Sequence, residues 1–295
     1  MKNFFSHSKI ESQLQMYTYG INLLLWTSAF TVEDLPLLEK VKNLGCEVVE
    51  IPVFNPEVFP SEQVKEELDR LGLEACVCYG CERDSDIASL DESIRRAGIE
   101  RFKVAIDHTD ILGAKKIGGV VYKAGGIFTG AAPTAEEWGN SVDSMKEIAV
   151  YAQQYDISIG VEQINRYETY FINTVEDALR YCKDVGEPNL FVLLDAHHLI
   201  LEQLDFYDSI VSTGDLLGHF HTAENNRGIP GTGLVNWEEV YRALRDIEYA
   251  GWLVIESFYV GFGNIWKPVA PSPEILITEG LKNLKRVEEK IQKEI

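Results

Sequence analysis

The chain has 295 residues, 45% of them hydrophobic, and sets 27 lysines and arginines against 47 aspartates and glutamates, a formal charge of −20. That length carries one large core, and no Pro/Gly/Ser-rich linker divides it. So negative a chain repels phosphate backbones and anionic lipid, which argues against a nucleic-acid or membrane partner, and its longest apolar runs are strand-sized, short of a membrane span.

The opening "MKNFFSHSKIESQLQ" lacks the long apolar segment and small-residue cleavage site of a secretory signal. Residues 1–15 are expected to form a loose extension, followed by a single catalytic domain over 16–295 in a cytoplasmic protein. The five cysteines, Cys46, Cys76, Cys78, Cys81 and Cys182, are an odd number and read as reduced thiols. In "CVCYGC", Cys76 and Cys78 fall on a strand and no second Cys/His pair follows at zinc-finger spacing. Buried or pocket-lining thiols are the better reading than zinc.

In chain order, apolar runs predict strands at 19–26 ("YGINLLLW"), 46–54 ("CEVVEIPVF"), 73–80 ("LEACVCYG") and 116–122 ("KIGGVVY"). Four more follow at 157–164 ("ISIGVEQI"), 190–198 ("LFVLLDAHH"), 217–224 ("LGHFHTAE") and 252–258 ("WLVIESF"). Between them lie stretches such as "VEDLPLLEKVKNLG", "SEQVKEELDRLG", "AEEWGNSVDSMKEIAVYAQQY" and "NWEEVYRALRDIEYAG", with apolar residues at three and four spacing. Several end in glycine, as a helix C-cap requires. Near-continuous apolar strands alternating with amphipathic helices imply a parallel sheet covered by helices. Eight such units fit a closed (β/α)8 TIM barrel in one domain. A doubly wound sheet usually carries a glycine-rich phosphate turn after its first strand, and "GINLLLWTSAF" has none.

In such a barrel the active site lies at the C-terminal ends of the strands. The polar residues ending strands five to eight are Glu162, Asp195, His221 and Glu256. Each alone has a structural explanation: a hydrogen-bonded buried acid for either glutamate, a helix N-cap for Asp195, a core histidine for His221. Together they differ, because three carboxylates converging without a cation repel one another and one would have to stay protonated. A divalent metal removes that repulsion. An oxygen-rich site with one nitrogen and no thiolate suits Mn²⁺, Mg²⁺ or Co²⁺ better than structural zinc.

The segments "GVEQINRYE", "LLDAHH", "HFHTAENNRGIPGTG" and "VIESF" resemble the ketose 3-epimerases, the D-tagatose and D-allulose (psicose) 3-epimerase family of the xylose-isomerase-like barrels. The resemblance runs from about Met16 to the C-terminus. It implies a metal, Mn²⁺ first and Co²⁺ or Mg²⁺ as alternatives, held by Glu162, Asp195, His221 and Glu256. It implies that Glu168, His198 and Arg227 hold the O1 to O3 end of a small ketose, and that the enzyme is a homodimer or homotetramer. Without the family pattern, Arg227 in "NNRGIPGTG" reads as a solvated surface charge; its place six residues after His221 reverses that. Spacing from Asp195 favours His198 over the adjacent His197. His219 has no assigned role, and Glu50, ending the second strand, supports the site or makes a structural hydrogen bond.

The chemistry follows from the residue types. Inverting a ketose at C3 removes the proton alpha to a carbonyl and returns one to the opposite face, so two bases are needed, and Glu162 and Glu256 can flank a cis-enediolate. The family pattern is broken at the first strand: Asn22 stands in a usual aromatic position and Phe30 where tryptophan is common, in the wall expected to cover the distal carbons. D-tagatose, D-allulose/D-fructose, ribulose and xylulose are therefore all candidate substrates. Other readings are a metal-dependent apurinic endonuclease, which uses a histidine-rich zinc cluster and a basic groove, a non-catalytic sugar-binding barrel, and a related enzyme such as a hydroxypyruvate isomerase or an inosose dehydratase.

Overall fold

The apolar runs become short parallel strands, and the amphipathic stretches pack around them. The structure, a computed structural model, describes residues 16–294, so the expected extension at 1–15 lies outside the described residues. The strands are β1 (Thr18–Asn22), β2 (Val48–Pro52), β3 (Glu74–Cys78), β4 (Lys116–Gly119), β5 (Ser158–Glu162), β6 (Leu190–Asp195), β7 (Leu217–His221) and β8 (Trp252–Ile255). They pair in chain order, all parallel, and β8 closes on β1 with Ile21 opposite Ile255. The helices are α1 (Pro36–Asn43), α2 (Ser61–Leu71), α3 (Glu92–Ile111), α4 (Ala135–Gln153), α5 (Val175–Val185), α6 (Ala196–Glu202), α7 (Phe206–Thr213), α8 (Trp237–Asp246) and α9 (Pro273–Gln292). This is the (β/α)8 TIM barrel expected from the pattern. Among the described residues no helix is long and apolar enough to cross a membrane.

The strands are shorter than the apolar runs, for local reasons. β1 stops at Asn22 because its Oδ1 accepts the backbone N–H of Leu24 at 3.0 Å and starts a tight turn over Leu23–Leu25. β6 stops at Asp195, whose Oδ1 accepts the N–H of His197 at 2.8 Å and caps α6, so His197 and His198 lie on a helix rather than a strand. Helix α2 ends as foreseen at Gly72 (φ 60), and α5 ends likewise at Gly186 (φ 75), both in left-handed conformations.

Side chains alternate along each strand. Ile21, Val49, Ile51, Val77, Ile117, Ile159 and Val161 join the main core with the helices. Val48, Cys76, Val254 and Trp252 form a separate cluster inside the barrel. Phe191 fills the lumen against two glycines: a Cβ on Gly160 would meet its ring at 2.6 Å and one on Gly218 at 2.4 Å. Below it, Lys116 lays its ammonium 4.9 Å from the Trp252 ring and donates to the Gly218 carbonyl at 2.8 Å. The N-terminal end of the lumen is thus packed shut, and the inward polar residues collect at the opposite mouth.

Candidate active site

Glu162, Asp195 and His221 are the last residues of β5, β6 and β7, and Glu256 follows β8 by one. All four are buried, and one ligand atom from each lies within 4.8 Å of the others. The structure therefore brings the four sequence-selected residues to one point. His221 Nδ1 stands 3.5 Å from both Glu162 Oε1 and Glu256 Oε1, beyond a formed hydrogen bond. His221 Nδ1 and Glu162 Oε1 are buried with no hydrogen-bond partner. Buried polar atoms without partners are costly, and a divalent cation among these three carboxylates and one imidazole would satisfy them together. The residues fit such an ion.

The other face of His221 supports this. Glu50 Oε2 accepts from His221 Nε2 at 3.0 Å and from His219 Nε2 at 2.9 Å, which keeps the hydrogen on Nε2 and turns Nδ1 towards the carboxylates. Burial pushes the Glu50 carboxyl up, but the His221 and His219 imidazoles outweigh it and hold it well below the usual range. Burial raises Glu162 and Glu256, and raises Asp195 to about 6 against the pull of Arg227. At His221 burial disfavours the imidazolium, yet Glu256 and Glu50 outweigh it and push the ring well above its ordinary value. A proton would thus compete with a metal ion for Nδ1.

Arg227 is 3% exposed, not a surface charge. Its Nη1 donates to Asp195 Oδ2 at 2.5 Å and Glu256 Oε2 at 2.7 Å, and its guanidinium lies 4.5 Å over the Phe258 ring. The backbone there is left-handed, φ 59, which is uncommon for a non-glycine residue. Glu224 over-determines that loop: its carboxylate accepts from the N–H groups of Asn225 (3.1 Å), Val235 (2.9 Å) and Gly231 (2.9 Å) and from Trp237 Nε1 (3.1 Å). Ser257 Oγ fastens the Arg227 carbonyl at 2.6 Å.

His198, on the first turn of α6, is buried with Nε2 3.8 Å from Glu162 Oε1. Its Nδ1 accepts from Asn165, which also donates to Glu168 Oε1 at 2.7 Å. Glu168 remains partly open to solvent. Two further groups, Glu50–His219–His221 and Glu168–His197–His198, also gather ligand atoms, but hydrogen bonds already occupy those of Glu50, of His198 Nδ1 and of His197 Nδ1, which donates to the Asn225 carbonyl at 3.1 Å.

Above these residues opens a cavity of about 650 Å³, lined by the polar Glu162, Glu168, His198, Arg227 and Glu256 and by the apolar Leu24, Phe54, Val120, Phe258 and Phe262. Cys78 and Cys81 line it as well, as buried free thiols. The expectation for Asn22 and Phe30 needs correction. Asn22 is fully buried and donates to Glu256 Oε1 at 3.1 Å, while Phe30 packs on Phe59 with ring centres 6.1 Å apart; neither lines the cavity. The missed residues, Asn165 and Glu224, carried only one signal in the sequence, which is polarity three residues past the ends of β5 and β7.

A closed parallel barrel with this constellation at its mouth is the architecture of the xylose isomerase-like TIM barrels, and the family model of that description matches residues 38–287. A D-psicose 3-epimerase of Agrobacterium fabrum is 30% identical over 251 residues, 84% of this chain and 87% of that protein. A ketose 3-epimerase of Arthrobacter globiformis is 34% identical over 240 residues, 81% and 83% of the two chains. The crystal structure of a D-allulose 3-epimerase from Methylomonas sp. in complex with D-allulose superimposes with a TM-score of 0.87 at 29% identity, covering 92% of this chain and 98% of that one. The chain belongs to the ketose 3-epimerases within the xylose isomerase-like barrels, and is a carbohydrate epimerase.

Proposed function

We propose that the protein is a divalent-metal-dependent 3-epimerase of free ketoses, working with two glutamates on opposite faces of the sugar. The observation that carries this reading is the gathering of Glu162, Asp195, His221 and Glu256 with an unpartnered imidazole nitrogen and carboxylate oxygen among them. These four residues would hold the ion, Mn²⁺ first and Co²⁺ or Mg²⁺ as alternatives. When bound, it would supply Lewis acidity beside the carbon that loses its proton.

The chain's own groups do the rest. One of Glu162 and Glu256 takes the C3 proton, leaving a cis-enediolate, and the other returns a proton to the opposite face. Both are buried, which raises their basicity towards that task. Arg227 and His198 donate to oxygens on which negative charge develops, and Glu168 accepts from a sugar hydroxyl. A free sugar is favoured over a phosphate ester because, among the described residues, Arg227 is the only lysine or arginine lining the cavity, and Asp195 and Glu256 already pair with it.

D-tagatose, D-allulose/D-fructose, ribulose and xylulose fall within this reading, which also takes the enzyme as a cytoplasmic homodimer or homotetramer. Incubating the Mn²⁺-loaded protein with a panel of ketohexoses and ketopentoses tests it. Products epimeric at C3 are expected; aldoses or dehydrated products would point to isomerase or dehydratase chemistry instead.

A further inference from the structure

The structure assigns Asn165 the role of positioning residue for the hydrogen-bond polarity of the pocket, making His198 a donor and Glu168 an acceptor; the roles of those two residues rest on the function proposed above. The backbone N–H of Tyr167 points at one end of the Asn165 amide at 2.9 Å, which identifies that end as Oδ1 and places Nδ2 on the other side. Nδ2 lies 2.7 Å from Glu168 Oε1 and 2.8 Å from His198 Nδ1, so its two hydrogens serve one residue each. His198 Nδ1 also receives the backbone N–H of Asn165 at 3.3 Å.

An imidazole nitrogen that accepts carries no proton. Two donors thus face Nδ1 while a single Arg227 Nη2 hydrogen is directed at Nε2, at 3.2 Å, so the balance of donors leaves His198 neutral with its one hydrogen on Nε2. Among the described residues that hydrogen has no acceptor within reach: Glu162 Oε1 and Asp195 Oδ2 are each 3.8 Å away, and Arg227 Nη2, at 3.2 Å, is a second donor beside it. A buried donor at the cavity wall is left for an oxygen of the substrate. Glu168, held by the same amide, presents an acceptor to a hydroxyl. One asparagine thus builds a donor and an acceptor matched to an α-hydroxy ketone, the end of a ketose at which C3 inversion takes place.

The neighbouring ring shows that partners decide this. His197 Nδ1 faces the carbonyls of Asn225 and Glu224 at 3.1 and 3.3 Å, so its hydrogen is on Nδ1, the opposite tautomer to His198.

The test is the nitrogen–proton correlation spectrum of the ¹⁵N-histidine-labelled protein, with the His198 signals assigned by their loss in His198→Gln. The parent should show His198 as the Nε2–H tautomer, and Asn165→Asp, which sets oxygen against Nδ1, should convert it to Nδ1–H. For the ketose turned over best, Asn165→Asp should lower kcat/KM about a hundredfold, with Mn²⁺ affinity unchanged. Asn165→Ala leaves on Nδ1 only the backbone N–H at 3.3 Å, opposed by the Arg227 hydrogen on Nε2, so the Nε2–H signal should give way to a mixture of tautomers and KM should rise about tenfold through a released Glu168. An Nδ1–H tautomer in the parent, or an Asn165→Asp protein that retains Nε2–H and the parent's kcat/KM, overturns the assignment. The parent spectrum needs no substrate, so it fails or succeeds separately from the product analysis that tests the function.

Discussion

Glu50 Oε2 accepts the Nε2–H of His221 at 3.0 Å, and that bond decides which ring nitrogen faces Glu162 and Glu256. A ligand histidine oriented by a carboxylate behind it is a stronger and better-aimed donor. His219, on the same oxygen at 2.9 Å, keeps Glu50 from swinging away.

Glu50→Gln should therefore weaken Mn²⁺ binding about tenfold or more although Glu50 does not belong to the four-ligand set. Calorimetric titration of the metal-free protein measures this. Parent-like affinity would mean that the imidazole needs no such support.

Arg227→Ala separates the oxygen-binding machinery from the metal. Metal content should remain at the parent level while kcat/KM drops by about a hundredfold or more, the scale of a lost donor to a developing oxyanion. If this variant matches the parent on every ketose tested, Arg227 has no part in the reaction.

Metal loading should depend on pH. Asp195 is raised to about 6, Glu162 and Glu256 are raised too, and His221 is pushed well above its ordinary value, so the empty site holds protons that the ion must displace. Raised values mean that protonation begins while the pH is still near neutral. Mn²⁺ affinity should fall as pH is lowered from 7.5 through 6, by about tenfold per unit for each proton displaced. Flat affinity between pH 5 and 7.5 would contradict the shifts.

Glu224→Ala should damage stability and catalysis together. It strands four buried or partly buried N–H donors, which should cost about 3 kcal/mol or more in urea unfolding. It also frees the loop that holds Arg227 at φ 59, so kcat/KM should fall at temperatures where the protein remains folded. A loss below about 0.5 kcal/mol would show that water replaces the carboxylate.

The barrel and the four strand-end residues were legible because both follow from patterns local to the chain: apolar runs with helical stretches between, and a polar residue at the end of each of the last four strands. Strand ends were overestimated where the apolar run continued under a loop, as at Val120 to Tyr122 after β4, because burial by loops and burial by strands look alike in sequence. Asn22 was placed in the substrate wall because an aromatic is usual there, yet its amide turns down to Glu256. Glu50, Asn165 and Glu224 hold partners across loops or across the lumen, and such pairings are set by three-dimensional closure rather than by spacing. Arg227 showed the same limit: nothing local to "NNRGIPGTG" marks its side chain as buried.

The most direct measurement is turnover of a ketose by the Mn²⁺-loaded protein in deuterated water, with the epimer's C3 position read by NMR. With Glu162 and Glu256 acting on opposite faces, the hydrogen delivered is not the one removed, so the C3 epimer should carry deuterium at C3, and Glu162→Gln or Glu256→Gln should each stop epimerisation. A single shuttling base would return much of the original hydrogen. A C3 epimer formed without solvent deuterium, or no C3 epimer from any ketose, would contradict the account.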